Sequence, residues 1–368
     1  MFGLFFELLQ IALGNRECLS RKPTENEWQM LYELCQKQAV IGVVFPALEK
    51  LSKHGMKPPV SILYNWIGQN EQIKQRNVQV NAACVKLTDV FDQEGYDSCI
   101  LKGQGNNLLY PSPYNRTPGD IDIWITPKNK ALSEKKRHKK VLGYIRNRYP
   151  TGNLHYNHID AGEFNGISVE VHHRPRFLNN FIHNYRLQKW INEKREEQFR
   201  HRVALPEIDQ QVSIPTVEFN LVFQLAHIYG HVLHEGIGFR QIVDYFYVLH
   251  GVGDVELAYY KCSGILRYLG LEKIAGAMMW VLHEKLGLPE EYLIVPVDER
   301  RGKILLDEIM RGGNLGHYDT ENVKASSRLK KNILRIKRDL HMMRYFPSEC
   351  LWEPVFRVYH LFWRMRYN

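Results

Sequence analysis

The segment Gly119-Asp120-Ile121-Asp122-Ile123-Trp124-Ile125 constrains the fold most, because polar and apolar residues alternate along it. A repeat of two residues is typical of a β-strand with one face in the core. Asp120 and Asp122 then point to the same side of the strand. Two neighbouring carboxylates repel each other, so the pattern predicts a cation beside them. Mg²⁺ favours such a place, since it binds one or two carboxylates together with substrate phosphates.

A second alternating segment supplies a third carboxylate. In Ile167-Ser168-Val169-Glu170-Val171-His172 apolar and polar residues alternate again, so Glu170 and His172 share the polar face of a predicted strand. Carboxylates on adjacent strands are typical of a two-metal site for phosphoryl transfer. The open alternative is that Asp120, Asp122 and Glu170 are solvated surface charges, because short acidic patterns are common.

The surrounding sequence predicts an α+β fold. Helical spacing dominates to about residue 94 and again from about residue 216, and a bend or break is expected within the long helix at 61–94. Between these regions the pattern predicts strands at 97–101, 120–125, 154–159 and 167–173, helices at 106–110 and 133–148, and a hairpin turn at 161–166.

Several motifs follow one another in the order found in a known family. The runs Ile100-Leu101-Lys102-Gly103, Leu109-Tyr110-Pro111-Ser112-Pro113, Arg116 and Gly119 to Ile123 fit a pattern LKG … YP.P..R..GDIDI. In this the chain resembles the uncharacterised nucleotidyltransferase family of the DNA polymerase beta-like superfamily. Glu170 and His172 match the family's later E-x-H strand. The family also has a helix with spaced histidines followed by an Arg and an Asp, which are matched here by His227, His231, Arg240 and Asp244. The resemblance covers about residues 30–300.

The resemblance implies a small mixed-sheet nucleotidyltransferase core at 95–206, between helical regions at 1–94 and 207–323, with a tail at 324–368. It also implies transfer of a nucleoside monophosphate from an NTP, with ATP expected, to an unidentified hydroxyl or amine acceptor. Asp120 and Asp122 would hold two Mg²⁺ or Mn²⁺ ions. Glu170 would complete the site of the ion nearer the acceptor and help to deprotonate it.

The resemblance also implies that the segment after the first predicted strand contacts the nucleotide. Better-studied members of the superfamily have Gly-Ser or Gly-Gly there, whereas this chain has Lys102-Gly103-Gln104-Gly105. Glycines allow a phosphate to approach the backbone closely, and lysine supplies a point charge. Arg116 is a second candidate phosphate contact. The alternatives are a solvated lysine at the end of a strand and a salt bridge from Arg116 within its loop.

Histidines are the remaining candidates for the cleft. His227 and His231 lie four residues apart, on one face of a predicted helix, and His158 and His172 lie on the predicted hairpin. The resemblance implies that the helix lines the nucleotidyltransferase cleft. A polar packed face is the alternative, and zinc binding is a weaker one, because the zinc-protease motif requires a Glu directly after the first His. Arg240 and Asp244, also four apart, predict an intrahelical ion pair.

The net charge of +9 is concentrated in two segments. Residues 134–148 carry +6 and residues 324–368 carry +8, which leaves −5 for the rest of the chain. Nucleic-acid binding is therefore not required by the composition. The tail combines basic residues at helical spacing (Arg328, Lys331, Arg335 and Arg338) with aromatic residues, which predicts packing on the protein, a partner surface or a membrane surface.

Two other functions stay open at this point. One is a catalytically degenerate module that binds a nucleotide or a partner, and the other is a membrane- or RNA-associated protein that acts through its tail. The six scattered cysteines contain no C-x-x-C pair and indicate reduced thiols. The apolar N-terminus has no basic segment before it, which favours an amphipathic helix over a signal peptide. A cytoplasmic protein is the expectation.

Overall fold

The computed structural model describes residues 2–234, 236–253, 255–313 and 340–367. Its helices are α1 (Phe2–Ala12), α2 (Glu25–Lys37), α3 (Ile41–Lys53), α4 (Val60–Gln93), α5 (Gly103–Asn107), α6 (Glu134–Arg148), α7 (Phe181–Arg200), α8 (Val217–His234), α9 (Phe239–His250), α10 (Val255–Tyr268), α11 (Glu272–Leu286), α12 (Glu299–Gly312) and α13 (Pro347–Tyr367). Its strands are β1 (Tyr96–Leu101), β2 (Ile121–Pro127), β3 (His158–Phe164), β4 (Ile167–His172), β5 (Arg202–Ala204) and β6 (Gln211–Ser213).

A four-stranded mixed sheet forms the centre of the molecule, with the order β1-β2-β4-β3. Strand β2 runs antiparallel to β1 and parallel to β4, and β3 and β4 form an antiparallel hairpin. Strands β5 and β6 make a separate two-stranded ribbon. The small mixed sheet among many helices confirms the predicted α+β fold. The division into four regions stays a prediction.

The alternation along β2 puts its side chains on two different surfaces. Ile121, Ile123 and Ile125 are buried in one hydrophobic cluster with residues of α4 and α6. Trp124 points the other way, where its ring stacks on Phe219 of α8 with centroids 6.3 Å apart. Because strand neighbours alternate faces, Asp122 lies on the same side as Trp124. This side of the sheet carries the polar residues of the candidate site.

The hairpin differs from its prediction in the position of its first strand and of its turn. The strand expected at 154–159 begins later, at His158, and is β3. The chain first folds back on itself, and the amide of His155 donates to the carbonyl of His158 at 2.8 Å. The turn is the pair Asn165 and Gly166, with φ of 52° and 70°. Asn-Gly favours this left-handed turn of two residues, which lets β3 continue to Phe164.

Two helices also differ from their predictions. Helix α4 runs without interruption over 34 residues, so the expected break is absent from it. Helix α5 begins at Gly103 rather than at residue 106, since the backbone turns at Lys102, where φ is 52°, and enters the helix directly.

The C-terminal tail packs on the protein over the part that the structure describes. Phe356 and Trp363 of α13 are buried in the same hydrophobic cluster as the isoleucines of β2. The basic helix predicted around 328–338 lies outside the described residues. Among the described helices, none combines the length and apolar character needed to cross a bilayer.

Candidate active site

The strand register brings the three predicted carboxylates together. Asp122 on β2 lies opposite Glu170 on the parallel strand β4. Asp120 precedes β2 and is exposed, whereas Glu170 is half-buried and Asp122 is 3% exposed. One oxygen from each of the three carboxylates falls within a group whose members are all within 4.8 Å of one another. The cluster thus has the geometry of a shared cation site, and its role in catalysis stays a prediction.

The cluster opens into a cavity between the sheet and helices α8 and α9. The residues that line it are Lys102, Gly103, Asn106, Arg116, Gly119, Asp120, Asp122, Asn157, His158, Glu170, His172, Arg176, Gln224, His227, Ile228, His231, Arg240, Gln241 and Asp244. The lining includes the three carboxylates and the four histidines selected from the sequence.

Asp122 is held between two cationic groups. Its Oδ2 lies 2.8 Å from Nζ of Lys102, and its Oδ1 accepts a hydrogen bond from Nε2 of His172 at 3.0 Å. Burial raises the pKa of this carboxyl, but Lys102 and His172 outweigh burial and lower it. Asp122 is therefore ionised at neutral pH although it is enclosed by protein.

His172 connects Asp122 with Glu170. Burial lowers the pKa of His172, but hydrogen bonds to Asp122 and Glu170 raise it to about 9. Its Nδ1 lies 3.3 Å from the carbonyl of Arg174, so both ring nitrogens have acceptors, as an imidazolium requires. Burial likewise raises the pKa of Glu170, and the hydrogen bond from His172 lowers it to about 2. The site therefore keeps both carboxylates charged.

His158 stands on the other side of Glu170. Its Nδ1 is 3.6 Å from Oε2 of Glu170, and its Nε2 is 3.4 Å from Oδ1 of Asp160. Burial is the main cause that lowers the pKa of His158. This ring forms the boundary of the cavity at strand β3.

The donor set of the cluster suits a hard divalent cation. Asp120, Asp122 and Glu170 offer carboxylate oxygens only, and Mg²⁺ and Mn²⁺ prefer oxygen ligands. Lys102 and His172 supply positive charge to Asp122 from the protein itself. The residues present therefore fit the metal that the sequence predicts.

The four residues after β1 do not share one role. Lys102 and Gly103 line the cavity, and both have positive φ, 52° and 45°. Gln104 is buried and donates to the side chain of Asn81. Gly105 lies against Ile214, because a Cβ there would be 3.2 Å from the side chain of that residue. Neither Gln104 nor Gly105 is among the described residues that line the cavity, whereas Lys102 and Gly103 are, and the nucleotide contacts of this loop stay a prediction.

Arg116 forms a buried ion pair with Asp244 of α9. Its Nε and Nη2 donate to the two oxygens of Asp244 at 2.7 and 2.8 Å, and the hydroxyl of Tyr110 donates to Oδ1 at 2.6 Å. The predicted pairing of Asp244 with Arg240 within one helix is therefore wrong. Arg240 extends to the loop before β2, where its Nη1 donates to the carbonyl of Thr117 at 3.2 Å. Arg116 still lines the cavity, and its phosphate contact stays a prediction.

The histidines of α8 lie on the side opposite the carboxylates. Nζ of Lys102 donates to Nε2 of His227 at 3.3 Å. Burial, followed by the charge of Lys102, holds the pKa of His227 well below its usual range. The His227 and His231 rings meet edge to face, with centroids 4.2 Å apart. His227 is therefore a neutral acceptor that fixes the position of Lys102.

Several cavity residues were missed in the sequence. Asn157, Arg176 and Gln224 come from three separate segments and match no motif. One signal was present at Gly230, inside α8, where a Cβ would lie 1.5 Å from Nη2 of Arg176. A glycine inside a helix costs about 1 kcal/mol relative to alanine, so it indicates close approach of another group.

Comparisons with known proteins bear on the same region. The profile of the family described as "Uncharacterised nucleotidyltransferase" matches residues 24–287. The crystal structure of an antigenic nucleotidyltransferase-like protein from Paracoccidioides brasiliensis is similar over 60% of this chain and 94% of that chain, with 16% identity and a TM-score of 0.34. No curated protein matches the sequence. The range matched by the family contains every residue that lines the cavity.

Proposed function

The chain belongs to the uncharacterised nucleotidyltransferase family, and we propose that it transfers a nucleoside monophosphate from an NTP to a hydroxyl or amine acceptor. ATP is the expected nucleotide, and pyrophosphate is the leaving group. The observation that supports this most directly is the register of β2 and β4, which places Asp122 opposite Glu170 and beside Asp120 in one cavity.

We propose that Asp120, Asp122 and Glu170 hold two divalent ions, Mg²⁺ or Mn²⁺. When bound, such ions neutralise phosphate oxygens and make an acceptor hydroxyl easier to deprotonate. Carboxylates that stay ionised at neutral pH meet the first requirement for holding them, and the lowered pKa values of Glu170 and of buried Asp122 support this.

The protein's own side chains would position the reactants. Lys102, fixed between Asp122 and His227, would place a positive charge at the triphosphate. Glu170, held by His172, would orient the acceptor hydroxyl or amine and receive its proton on the way to solvent. Helices α8 and α9, which contribute residues to the lining of the cavity, would limit the access of water to the reacting phosphorus.

Calorimetric titration with Mg-ATP tests the proposal. We expect the wild type to bind Mg-ATP, and Asp122→Asn and Asp120→Asn to bind it at least about tenfold more weakly, because each loses a metal-ligand charge. Asp120 is exposed, so its variant should retain the fold even if the Asp122 variant does not. The matched control is Glu163→Gln, which changes an exposed carboxylate of β3 outside the cavity.

Equal binding of Mg-ATP by wild type and both aspartate variants would contradict the metal site. A pyrophosphate-release assay with a panel of acceptors separates the enzyme from the degenerate alternative. The enzyme releases pyrophosphate in the presence of an acceptor, whereas a degenerate module binds Mg-ATP and releases none with any acceptor tested.

A further inference from the structure

A cavity of about 500 Å³ lies near the end of β2 that is farther from the carboxylate cluster. Its walls come from β2, the first half of α6, the segment that follows β4 and the middle of α7. It is named the basic cavity after four of its lining residues, Lys135, Arg137, Arg174 and Arg195. None of the described residues that line it also lines the candidate active site, so the two cavities are separate.

The basic cavity lies on the same side of the sheet as the candidate active site. Thr126 lines it and is four residues along β2 from Asp122, so the alternation of a strand directs both side chains to one face. At about 3.3 Å for each residue, the two positions are about 13 Å apart. Trp124 stands between them and stacks on Phe219 of α8. A ligand in the basic cavity is therefore set apart from the carboxylate cluster.

Positive charge dominates the lining of the basic cavity. Lys135 and Arg137 belong to the basic segment of α6, Arg174 follows β4, and Arg195 is on α7. The acidic residue among the described lining residues is Glu134, which is exposed and accepts a hydrogen bond from a side chain of α7. Like charges that meet in one cavity repel one another, so this lining favours a negatively charged ligand.

Arg195 is held in place but keeps a buried donor without a partner. Its side chain is 11% exposed, and its Nη2 lies 3.6 Å from Oε1 of Glu196. Its Nη1 donates to Oδ1 of Asn192 at 3.3 Å. Its Nε is buried and has no hydrogen-bond partner among the described residues. Burial, followed by the charge of Arg137, lowers the pKa of Arg195, so an anion nearby would stabilise the charged guanidinium.

Arg174 and Thr126 bring two more buried donors to this lining. Nη1 of Arg174 and Oγ1 of Thr126 are buried, and both lack a hydrogen-bond partner in the described part of the chain. The guanidinium of Arg174 lies over the ring of Tyr156, with Cζ 4.5 Å from its centre, a contact that positions the charge without neutralising it. Thr126 is 6% exposed. Buried polar groups without a partner destabilise a folded protein unless something bonds to them.

The chemistry of these three groups defines the ligand. Guanidinium nitrogens only donate hydrogen bonds, and a hydroxyl can donate one, so the ligand must present acceptor atoms. Because the donors come from three different elements, an oxyanion with oxygens in several directions, such as a phosphate group, suits them. Ser133 also lines the cavity and precedes α6, and its side chain does not cap that helix. The amides of the first turn of α6 thus add donors on the same side.

We propose that the basic cavity binds a small phosphorylated compound, with its phosphate group held by Thr126, Arg174 and Arg195. Val141 and Ile191, which also line the cavity, contact the organic part of the compound. This binding is independent of the proposed nucleotidyl transfer, because it uses none of the residues of the candidate active site.

Calorimetric titration of the full-length protein with phenyl phosphate tests the proposal. The titration is made in EDTA, without divalent ions, and is repeated with saturating Mg-ATP. We expect binding under both conditions, because the two cavities are separate. Benzoate should bind more weakly, since its two oxygens lie in one plane, and benzylamine should not bind. A uridine hexanucleotide without a terminal phosphate, whose phosphates are diesters in a polymer, should not bind either.

Substitutions separate binding from folding. Arg174→Gln and Arg195→Gln should each weaken the binding of phenyl phosphate at least about tenfold, because each removes a charged donor. Thr126→Val removes a hydroxyl that has no partner among the described residues. It should weaken binding without lowering the urea concentration at the midpoint of unfolding. The control is Lys139→Gln, which removes one positive charge from an exposed position of α6 outside the cavity and should leave binding nearly unchanged.

Failure of the wild type to bind phenyl phosphate in EDTA would overturn the site. So would its displacement by Mg-ATP, unchanged binding in both arginine variants, or a loss in Lys139→Gln equal to that in Arg195→Gln. Benzoate binding more tightly than phenyl phosphate would overturn the phosphate, and binding of the hexanucleotide would overturn the small ligand. Because phenyl phosphate is also titrated without nucleotide, failure of Mg-ATP to bind would contradict the proposed function alone.

Discussion

The buried ion pair between Arg116 and Asp244 joins the loop before β2 to helix α9, across 128 positions of sequence. Both side chains are about 5% exposed, and Arg240 lies close enough to contribute to the lowered pKa of Asp244. Removing one partner of a buried pair leaves an uncompensated charge, which costs more than the pair itself contributes. These residues therefore affect stability as well as the shape of the cavity.

We predict that Asp244→Asn lowers the free energy of unfolding by about 3–5 kcal/mol, measured by urea denaturation. The control is Glu299→Gln, which breaks an exposed pair with Lys303 at 2.7 Å and should change stability by less than about 1 kcal/mol. If the two variants lose the same stability, the buried pair is not the structural link described above.

At the scale of single residues, sequence reasoning found the carboxylates of the cluster but not the partners of the two arginines. Asp120, Asp122 and Glu170 stand in alternating segments, and alternation alone assigns their face. Arg116 pairs with Asp244 rather than acting alone, and Arg240 is directed to Thr117, since side-chain direction depends on how α9 packs. The spacing of four residues between Arg240 and Asp244 carried no information about that packing.

Helix α13 offers a comparison between two adjacent residues of very different exposure. Trp363 is 7% exposed, its ring lies 5.3 Å from that of Tyr156, and it stacks on His173. Phe362, the preceding residue, is 63% exposed. The inner face therefore holds the helix on the protein, while the partner or membrane surface expected for the tail stays a prediction.

We predict that Trp363→Ala loosens α13, because burial of a tryptophan in a packed cluster contributes about 3–5 kcal/mol. Hydrogen exchange should show faster exchange of the amides of α13, with the protection of β2 and β4 retained. Phe362→Ala removes an aromatic ring from the same helix but should leave exchange nearly unchanged. Equal protection of α13 in the two variants would show that the inner face does not hold it.

At the scale of elements, the central strands were predictable and their ends were not. Strands β2 and β4 came from alternation over six or seven residues. Strand β3 begins several residues after the predicted strand. The pattern at 154–159 is apolar enough to predict a strand, but the chain bends there before it enters the hairpin. The Asn165-Gly166 turn contained the information that would have fixed the register.

A cavity beside the candidate active site, with His158, Asn179 and Phe356 in its walls, belongs to the scale of the whole molecule. Its walls come from β3, α8, the segment before α7, and α13, which is more than 100 residues further along the chain. Neither composition nor any local pattern predicts such a meeting of distant elements.

Acid sensitivity is a further property of the whole molecule, because the fold encloses many histidines in neutral form. Burial lowers the pKa of His138 to about 3 and that of His173 well below its usual range, and the positive charge of Arg174 adds to both effects. Their rings share a hydrogen bond of 3.0 Å, which requires one nitrogen to donate and the other to accept. Burial also lowers the pKa of other histidines in the described chain, namely His158, His227, His250 and His360.

We predict that the free energy of unfolding falls as the pH is lowered from 7 to 5. Below an unfolded pKa of about 6.5 the unfolded chain binds protons that the folded protein excludes, so each such histidine removes up to about 1.4 kcal/mol per pH unit until its folded pKa is reached. In His138→Gln, urea denaturation should show a shallower dependence on pH between 6.5 and 5. A wild-type stability that stays constant over this range, or a slope that the substitution leaves unchanged, would contradict the burial of a neutral His138.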